Sequence, residues 1–424
     1  MFPPILPGRD PAGRVRGADQ PVVEETVEES AREWFGRAPW WTWSRATGDW
    51  AGLRTDAEGA GIEFNGASVT EWARTSGGID DRWAFRYLLD LNVGLDLGTL
   101  VGLDGGTVFA AYQNVHEPVG QAWSGAYQVT SNIALDEGIS QLSEVWYEQV
   151  LFDDALRFKL GKVDANTEFA YLTSAGEFLN ATAGFSPTIF ALPTYPNPAF
   201  SANVFWTPDD VWHVGGGVYD GASTVDGIAT GARGPSTAFS SKHSDDVFLI
   251  AEGGFRLAEA GPLSGAMLSV GGWWHTGDFT TFSGGSRDGA GGVYAIGEAR
   301  LITPTGVDLD DPEDLGGLWA FGQFGWAPDD VAEVGLQFGG GLAQYGTFAG
   351  RPDDSVGIYV TWADFSDDPA SGFVGDETVV EAYYDFAVTP WCHVKPDLQY
   401  ISNPGGNPSL DDAWVGTLRV TIVF

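Results

Sequence analysis

An alternation of apolar and polar side chains with a period of two fills the last part of the chain, and no other feature constrains the fold as strongly. It predicts three strands, at 378–388, 391–401 and 413–424. Successive side chains of a strand point to opposite faces, so each of these strands has one apolar and one polar face. The apolar faces carry Val380, Ala382, Tyr384, Phe386 and Val388, then Cys392, Val394, Pro396, Leu398 and Tyr400, then Trp414, Leu418, Val420, Ile422 and Phe424.

A soluble β-sandwich also produces such alternation, because one face of each sheet packs on a core and the other meets water. The recurrence of strands about ten residues long favours a membrane instead, since a tilted strand of that length crosses the hydrocarbon layer. The pattern therefore predicts an all-β fold, a transmembrane antiparallel up-and-down β-barrel with a polar interior.

About sixteen segments share this pattern, and a single-chain bacterial barrel requires an even number of strands. They cover 61–74, 83–97, 106–116, 142–151, 155–164, 199–207, 210–220, 246–257, 263–276, 292–302, 316–327, 331–342, 355–365, 376–389, 391–402 and 413–424. Strict alternation of strand direction places the similar connections at Pro208 and Pro328 at opposite ends of the barrel. Because similar turns are expected at one end, this indicates a misplaced strand boundary within 117–198 or 303–355.

The predicted connections differ in length. Four are short, at 153–154, 208–210, 328–330 and 389–390, and four are long and rich in Gly, Ser, Thr and Asp, at 117–141, 165–198, 221–245 and 277–291. Short turns on the periplasmic side and long loops outside are the expected division. Tryptophans near the strand ends are expected to form an interfacial girdle: Trp206, Trp212, Trp326, Trp362, Trp391 and Trp414.

Two units are predicted, an acidic leader over residues 1–46 and the barrel over residues 47–424. The leader is expected to be disordered, with a short helix at about 22–35 outside the barrel wall. Asp49 is placed to cap a short helix that Gly59 or Gly61 would end. Residues 1–14 show no secretory signal, which an outer-membrane protein needs; it was either removed or precedes this numbering.

Composition narrows the classes of function. No window of about 18 apolar residues predicts a transmembrane helix. The net charge of −37 makes nucleic acid an improbable partner, because phosphates would be repelled, and it biases a pore toward cations or neutral solutes. The single Cys392 cannot form an intramolecular disulfide.

Several ordered motifs resemble one family, the carbohydrate-selective porins of the OprB type. They are Gly48-Asp49-Trp50-Ala51-Gly52-Leu53-Arg54, Glu144-Val145-Trp146-Tyr147-Glu148-Gln149, Leu160-Gly161-Lys162-Val163-Asp164, Gly350-Arg351-Pro352-Asp353-Asp354, and Lys395-Pro396-Asp397-Leu398-Gln399-Tyr400 with Asn403-Pro404-Gly405-Gly406. The resemblance runs from about residue 47 to the end. It implies a sixteen-stranded barrel of the cell outer membrane that admits sugars such as glucose by diffusion. The leader and the loops at 221–245 and 303–315 depart from the family pattern.

Face parity, independently of the family, assigns a set of ionic side chains to the lumen. The candidates are Arg82, Arg86, Asp90, Glu144, Glu148, Arg157, Lys159, Glu252, Arg256, Glu381, Asp385, Lys395, Asp397 and Arg419, with Glu298 and Arg300 as a further pair. Such rows can exchange hydrogen bonds with sugar hydroxyls without holding a neutral sugar tightly. Trp146 and Tyr383 are candidates for stacking on a pyranose. The alternative for each ionic residue is a structural cross-strand ion pair.

Catalytic and metal signals are weak in this chain. It has no Gly-x-Ser-x-Gly elbow, phosphate loop or Cys-x-x-Cys, so an enzyme is not expected. His275, beside two tryptophans, is the histidine of greatest interest. No cofactor is expected. The acidic loop at 308–314 could hold calcium but lacks an ordered calcium-loop spacing, and a solvated loop is favoured.

Three functions follow in order of preference. The first is passive, sugar-selective diffusion of carbohydrates, and the second is a general or cation-preferring pore, which the charge favours. The third is a structural barrel that tethers the envelope through the leader. The expected partners are outer-membrane lipid, lipopolysaccharide and carbohydrate solutes, and the chain is expected to be a monomer or a homotrimer.

Overall fold

The computed structural model describes residues 33–34, 38–116, 121–135, 138–209, 211–221, 246–257, 266–307, 314–346 and 350–424. Its strands are β1 Ile62–Gly78, β2 Trp83–Asp96, β3 Gly106–His116, β4 Ile139–Leu151, β5 Leu156–Val163, β6 Ala199–Trp206, β7 Trp212–Asp220, β8 Val247–Arg256, β9 Met267–Thr280, β10 Ser286–Ile302, β11 Gly317–Trp326, β12 Val334–Tyr345, β13 Ser355–Phe365, β14 Asp376–Thr389, β15 Cys392–Ser402 and β16 Asp411–Val423. They form one closed barrel, in which every strand pairs antiparallel with its sequence neighbours. The predicted fold class is confirmed.

Pairing of the first strand with the last closes the barrel. The register of β1 on β16 places Glu71 opposite Arg419, and that of β1 on β2 places Glu71 opposite Arg86. Closure leaves no strand edge exposed, so all the strands can satisfy their backbone hydrogen bonds within the sheet.

Helices are short and lie in the connections. They are α1 Leu53–Gly59 and α2 Leu97–Val101, with 3-10 turns at Trp40–Thr42, Trp50–Gly52, Gln121–Ser124, Ala165–Thr167, Thr173–Ala175, Ala181–Ala183 and Pro404–Gly406. Asp49 accepts a hydrogen bond from the Ala51 N–H at 3.0 Å, so it caps the 3-10 turn Trp50–Gly52. The predicted short helix is α1 and ends at Gly59, but its N-cap is Gly52, without a side-chain hydrogen bond. Across the described ranges, none of the helices has the length and apolarity that a membrane crossing requires.

The apolar faces of the last three strands point outward, as predicted. Phe386 is 41 % exposed, Leu398 49 % and Leu418 42 %, whereas Glu381 and Arg419 on the alternate faces are buried. An apolar outer wall with charged groups enclosed is the arrangement that lipid requires. Four of the predicted girdle tryptophans, Trp206, Trp212, Trp326 and Trp414, are exposed on the wall. Trp391 differs, because it is buried beneath Trp40.

Strand count and direction resolve the apparent conflict between the turns at Pro208 and Pro328. All sixteen predicted strands are present, so β6–β7 and β11–β12 are joined at opposite ends of the barrel. The prediction of a misplaced strand boundary was therefore wrong. Similar Pro-Asp turns occur at both ends because a tight turn depends on local backbone geometry and not on the side of the membrane.

The long connection predicted at 277–291 was also wrong. β9 continues to Thr280 and β10 begins at Ser286, so only 281–285 form the turn. Over these strand ends the outward positions of β9 are polar, at Thr276, Asp278 and Thr280, so the apolar alternation that marks a membrane strand disappears. The loop at 221–245 and the proposed helix at 22–35 lie almost wholly outside the described residues.

Two connections fold into the barrel and fill much of its interior. We call them segment A, residues 121–135, and segment B, residues 164–198. Segment B supplies much of the largest buried cluster, in which Phe178 contacts Phe321, Tyr359 and Tyr383. The barrel is therefore a wall built around two inserted segments, and any passage must follow them.

Candidate functional site

The ionic residues predicted for the lumen divide into groups. The first surrounds Glu71 of β1, which accepts from Arg86 of β2 at 2.8 Å and from Arg419 Nε of β16 at 2.6 Å. Ser131 of segment A donates to the same carboxylate at 2.9 Å. Arg419 also donates to the Asn132 side chain at 2.7 Å. This group joins three strands at the barrel closure and holds segment A beside them.

A second group lies on β4 and β5. Arg157 donates to Glu148 at 2.9 Å and to Glu168 of segment B at 2.7 Å. Lys159 pairs with both carboxylates, at 3.5 Å to Glu148 and in close contact with Glu168. Burial alone would raise the pKa of Glu168, but the charges of Arg157 and Lys159 outweigh it and hold the pKa at about 2. The cluster is therefore internally neutralised.

Two further carboxylates, Asp90 and Glu144, lie close to this cluster. Asp90 accepts from Gln113 of the adjacent strand at 2.9 Å, and Glu144 accepts from the Asp164 N–H at 3.1 Å. Asp164 begins segment B and accepts from the Asn166 and Tyr195 N–H groups. Burial raises the pKa of Asp164 to about 6. Glu144 and Asp164 together fix the base of segment B.

A third group lies on β14 and β15. Asp385 contacts His393 Nδ1 at 2.8 Å, and Lys395 donates to the Glu177 carbonyl of segment B at 2.9 Å. Asp397 accepts from Gln399 at 3.1 Å. Both oxygens of Glu381 accept main-chain N–H groups of segment B, from Leu179 at 2.5 Å and Asn180 at 3.0 Å. These side chains contact either neighbouring strands or segment B.

The remaining candidates are dispersed. Glu252 accepts from the Ala170 N–H and the Tyr294 hydroxyl, at 2.8 and 2.9 Å, while Arg256 ends β8. Arg82 precedes β2 and lies in an exposed turn, where it pairs with Asp80 at 2.6 Å and stacks on Trp123. Arg82 was predicted as a lumen residue of the second strand; it precedes that strand, and its role in the lumen stays a prediction. Trp146 and Tyr383 point inward but are buried.

Two cavities adjoin the inserted segments, and face parity did not find them. The larger and more open one, which we call the outer cavity, has a volume of about 580 Å³ and is lined by Tyr127, Val129, Ala181, Thr182, Phe185, Pro187, Ile189, Phe190, Leu192, Thr194, Tyr195, Pro196 and Asn197. The inner one has a volume of about 20 Å³ and is lined by Asn132, Asn166, Thr167, Tyr171, Leu172, Ala175, Gly176, Phe178, Ala183 and Gly184. Consecutive residues of the turn 181–184 line first one cavity and then the other. We call the inner cavity the constriction.

The groups lining these two cavities are uncharged. The constriction is lined by amide, hydroxyl and phenol groups together with the apolar side chains of Leu172 and Phe178. The Asn132 amide donates to the Phe178 carbonyl at 3.3 Å, so the constriction lies where segment A meets segment B. Strand periodicity could not indicate these residues, because they belong to irregular loops.

Comparison with known proteins places this barrel in a family. The profile of the carbohydrate-selective porin, OprB family, matches residues 84–424. The chain belongs to the OprB family. Porin B of Pseudomonas aeruginosa is 25 % identical over 89 % of this chain and 90 % of its own length. The high-pH structure of Pseudomonas putida OprB superposes with a TM-score of 0.78 at 20 % identity, covering 90 % of this chain and 99 % of that one. The low-pH structure gives a TM-score of 0.57 at 19 % identity, with the same coverage.

Membership of the OprB family identifies the chain as an outer-membrane porin selective for carbohydrates, as the sequence motifs implied. The family and the fold are those of a channel. His275 is buried, with Nε2 3.1 Å from the Gly221 carbonyl oxygen and Nδ1 accepting from the Gly277 N–H. Most of the acidic loop considered for calcium lies outside the described residues. Elsewhere in the described chain, no three His, Cys, Asp or Glu side chains cluster as metal ligands would.

Proposed function

We propose that sugars cross this porin along a path between segments A and B, from the outer cavity past the turn 181–184 and through the constriction. The observation that carries this proposal is the contrast in charge. The chain has a net charge of −37, yet the groups lining both cavities are uncharged. An uncharged, hydrogen-bonding path suits a neutral polyhydroxyl solute better than an ion.

The chemistry of the constriction supports a sugar in particular. A pyranose carries hydroxyls around its edge and C–H groups on its faces, so it needs polar and apolar partners together. Asn166, Thr167 and Tyr171 supply the polar groups, and Leu172 and Phe178 supply apolar surface. Weak contacts of both kinds allow a solute to enter and to leave.

The size of the constriction limits what can pass. A cavity of about 20 Å³ holds only one or two water molecules. A monosaccharide therefore has to displace side chains of the inserted segments, and a larger sugar has to displace them further. We propose that this displacement, and not a fixed radius, sets the preference for glucose-type sugars over longer ones.

The charged residues first considered as sugar contacts take a different part in this proposal. Five of them lie in ion pairs within the wall or with an inserted segment: Arg86, Glu148, Arg157, Lys159 and Arg419. Paired charges contribute little to ion preference along an uncharged path. The porin should therefore discriminate weakly between small ions despite its acidity, which separates it from the cation-preferring alternative.

Liposome swelling with sugars of increasing size tests the proposal. Proteoliposomes should swell fastest in monosaccharides and progressively more slowly in di- and trisaccharides. Equal rates for all sugars, after correction for their diffusion coefficients, would favour a general diffusion pore. A reversal potential measured across a KCl gradient should lie near zero, and a large cation-selective potential would contradict the proposed path.

The path lies within a single chain, so transport should not depend on whether the porin is a monomer or a homotrimer. Light scattering of the detergent-solubilised protein gives its oligomeric state. Swelling rates normalised per chain, compared between any separated oligomeric forms, should be equal.

A further inference from the structure

Four glutamates on the barrel wall hold the inserted segments by their main-chain N–H groups. Glu252 of β8 accepts from Ala170, and Glu298 of β10 accepts from the Ser174 N–H and hydroxyl, at 2.8 and 2.7 Å. Glu381 of β14 accepts from two consecutive N–H groups of segment B. Glu377, also on β14, holds segment A. Glu252, Glu298 and Glu381 were predicted to line the lumen, and in the structure each of them accepts hydrogen bonds from segment B.

The attachments divide segment B into short spans. Ala170, Ser174 and Leu179 lie four and five residues apart, and their acceptors stand on three different strands. Segment B therefore crosses the lumen and is fixed to the wall at each of these three residues. The constriction lies within this stretch, since its lining includes Leu172, Ala175 and Phe178.

Segment A is fixed in the same way. The two oxygens of Glu377 accept from the Tyr127 and Gln128 N–H groups at 2.9 and 2.8 Å, and one also accepts from Gly405 at 2.6 Å. Tyr127 lines the outer cavity. One carboxylate therefore ties segment A to the connection between β15 and β16.

Only a carboxylate can make the Glu381 and Glu377 contacts. Each presents two acceptor oxygens to two N–H donors, whereas a glutamine amide presents one acceptor and one NH₂ donor. Glutamine at 381 would leave one buried N–H group facing the NH₂ of its amide, which is another donor. At an exposed ion pair, water would relieve such a mismatch. Charge-assisted bonds of this kind are also stronger than neutral ones.

We infer that Glu298 and Glu381 are positioning residues for sugar selectivity: by fixing segment B to the wall they limit how far the constriction can widen. This inference rests on the proposed path through the constriction. It assigns size selectivity to side chains that need not touch the sugar. This positioning role differs from the sugar-binding role that was first expected for Glu381.

The test compares Glu381→Gln with wild type in single-channel conductance and in sugar-series liposome swelling. Glu298→Leu is a second variant on another strand; leucine is used because one Glu298 oxygen accepts both Ser174 donors, which a glutamine amide oxygen would keep. Glu63→Gln is the matched control, because Glu63 accepts from Asn65 of its own strand and the substitution removes the same charge. Heat-modifiable gel mobility establishes that each barrel is folded, so a variant that fails to fold is replaced by the other.

The expected result is that Glu381→Gln and Glu298→Leu raise the conductance and lower the ratio of monosaccharide to trisaccharide uptake. Glu63→Gln should leave that ratio at the wild-type value. Folded variants that keep the wild-type ratio would overturn the inference, as would an equal change in Glu63→Gln, which would assign the effect to charge. Wild-type protein without size discrimination would instead overturn the proposed function.

Discussion

Arg86 of β2 and Glu71 of β1 form a buried ion pair, with 2.8 Å between Nη1 and Oε2. Arg419 of β16 binds the same carboxylate, so one glutamate bridges three consecutive strands of the closed barrel. The pair lies on the inner face of the barrel, at the point where the first and last strands meet. Its burial means that neither partner can be removed without leaving a charge enclosed.

Glu71→Gln should therefore destabilise the barrel strongly. The substitution leaves two buried guanidinium groups facing a neutral amide, and breaking such a pair costs about 3–5 kcal/mol. Arg82→Gln is the control, because its pair with Asp80 is exposed and should cost no more than about 1 kcal/mol. Guanidinium chloride unfolding in detergent micelles, followed by tryptophan fluorescence, measures both. Equal midpoints for the two variants would contradict the structural role of Glu71.

Glu168→Gln should give a loss of stability that depends on pH. The folded pKa of about 2 lies below the ordinary value of 4.5, so the Glu168 charge stabilises the fold fully above pH 4.5. That contribution is lost progressively as the pH falls toward 2. The difference in unfolding free energy between wild type and Glu168→Gln should be constant from pH 7 to 5 and then shrink. A difference that stays unchanged down to pH 2.5 would show that the pairs with Arg157 and Lys159 do not act through charge.

Gly271→Ala should lower the stability of the barrel by crowding the side chains on its inner face. A Cβ at Gly271 would lie 2.1 Å from Tyr294 Cζ, so the ring has to move away from its hydrogen bond to Glu252. Overpacking of this kind typically costs about 1–3 kcal/mol. Gly416→Ala is the matched control, since no neighbouring heavy atom lies within 4 Å of the new Cβ. Thermal unfolding in micelles should separate the two variants, and similar melting temperatures would contradict the packing described for Tyr294.

Trp391→Ala should release the residues that precede the barrel. Trp391 packs on Trp40, with 4.2 Å between ring centroids and 36° between the ring planes, and it donates to the Trp40 carbonyl at 3.0 Å. Without that ring, the chain around Trp40 loses a ring contact and a hydrogen bond to the wall, and it keeps the bonds of Arg45 to Asn65 and of Ala46 to Val423. Limited proteolysis should cut the variant within 38–46 faster than wild type. Trp414→Ala, which removes an exposed lipid-facing ring, should leave the cleavage rate unchanged.

Local alternation was sufficient to predict the sixteen strands, because lipid on one side imposes a period of two on every crossing. Leu398 and Lys395 illustrate this, since parity alone places the first outward and the second inward. The alternation did not predict the strand ends where that constraint from lipid stops. From Thr276 onward the outward positions of β9 are polar, at Thr276, Asp278 and Thr280, so the pattern predicted the strand end too early.

The interior could not be predicted in the same way. Glu381 was recognised as an inward-facing carboxylate, but its partners are backbone N–H groups about two hundred residues earlier in the chain. A main-chain donor has no side-chain identity, so no sequence pattern marks it. Asn166 and Tyr171 line the constriction because segment B folds inward, and that folding depends on the wall glutamates.

Blocking the constriction chemically is the most direct measurement of the central claim, that sugars pass between segments A and B. Thr167→Cys places a thiol in the constriction on a Cys392→Ser background, and Ser76→Cys places one on the exposed end of β1. Both are labelled with a bulky methanethiosulfonate, with labelling quantified by mass spectrometry, and glucose uptake into liposomes is recorded. We predict that labelled Thr167→Cys loses glucose uptake and recovers it on reduction, and that labelled Ser76→Cys retains it. Full glucose uptake through quantitatively labelled Thr167→Cys would contradict the account.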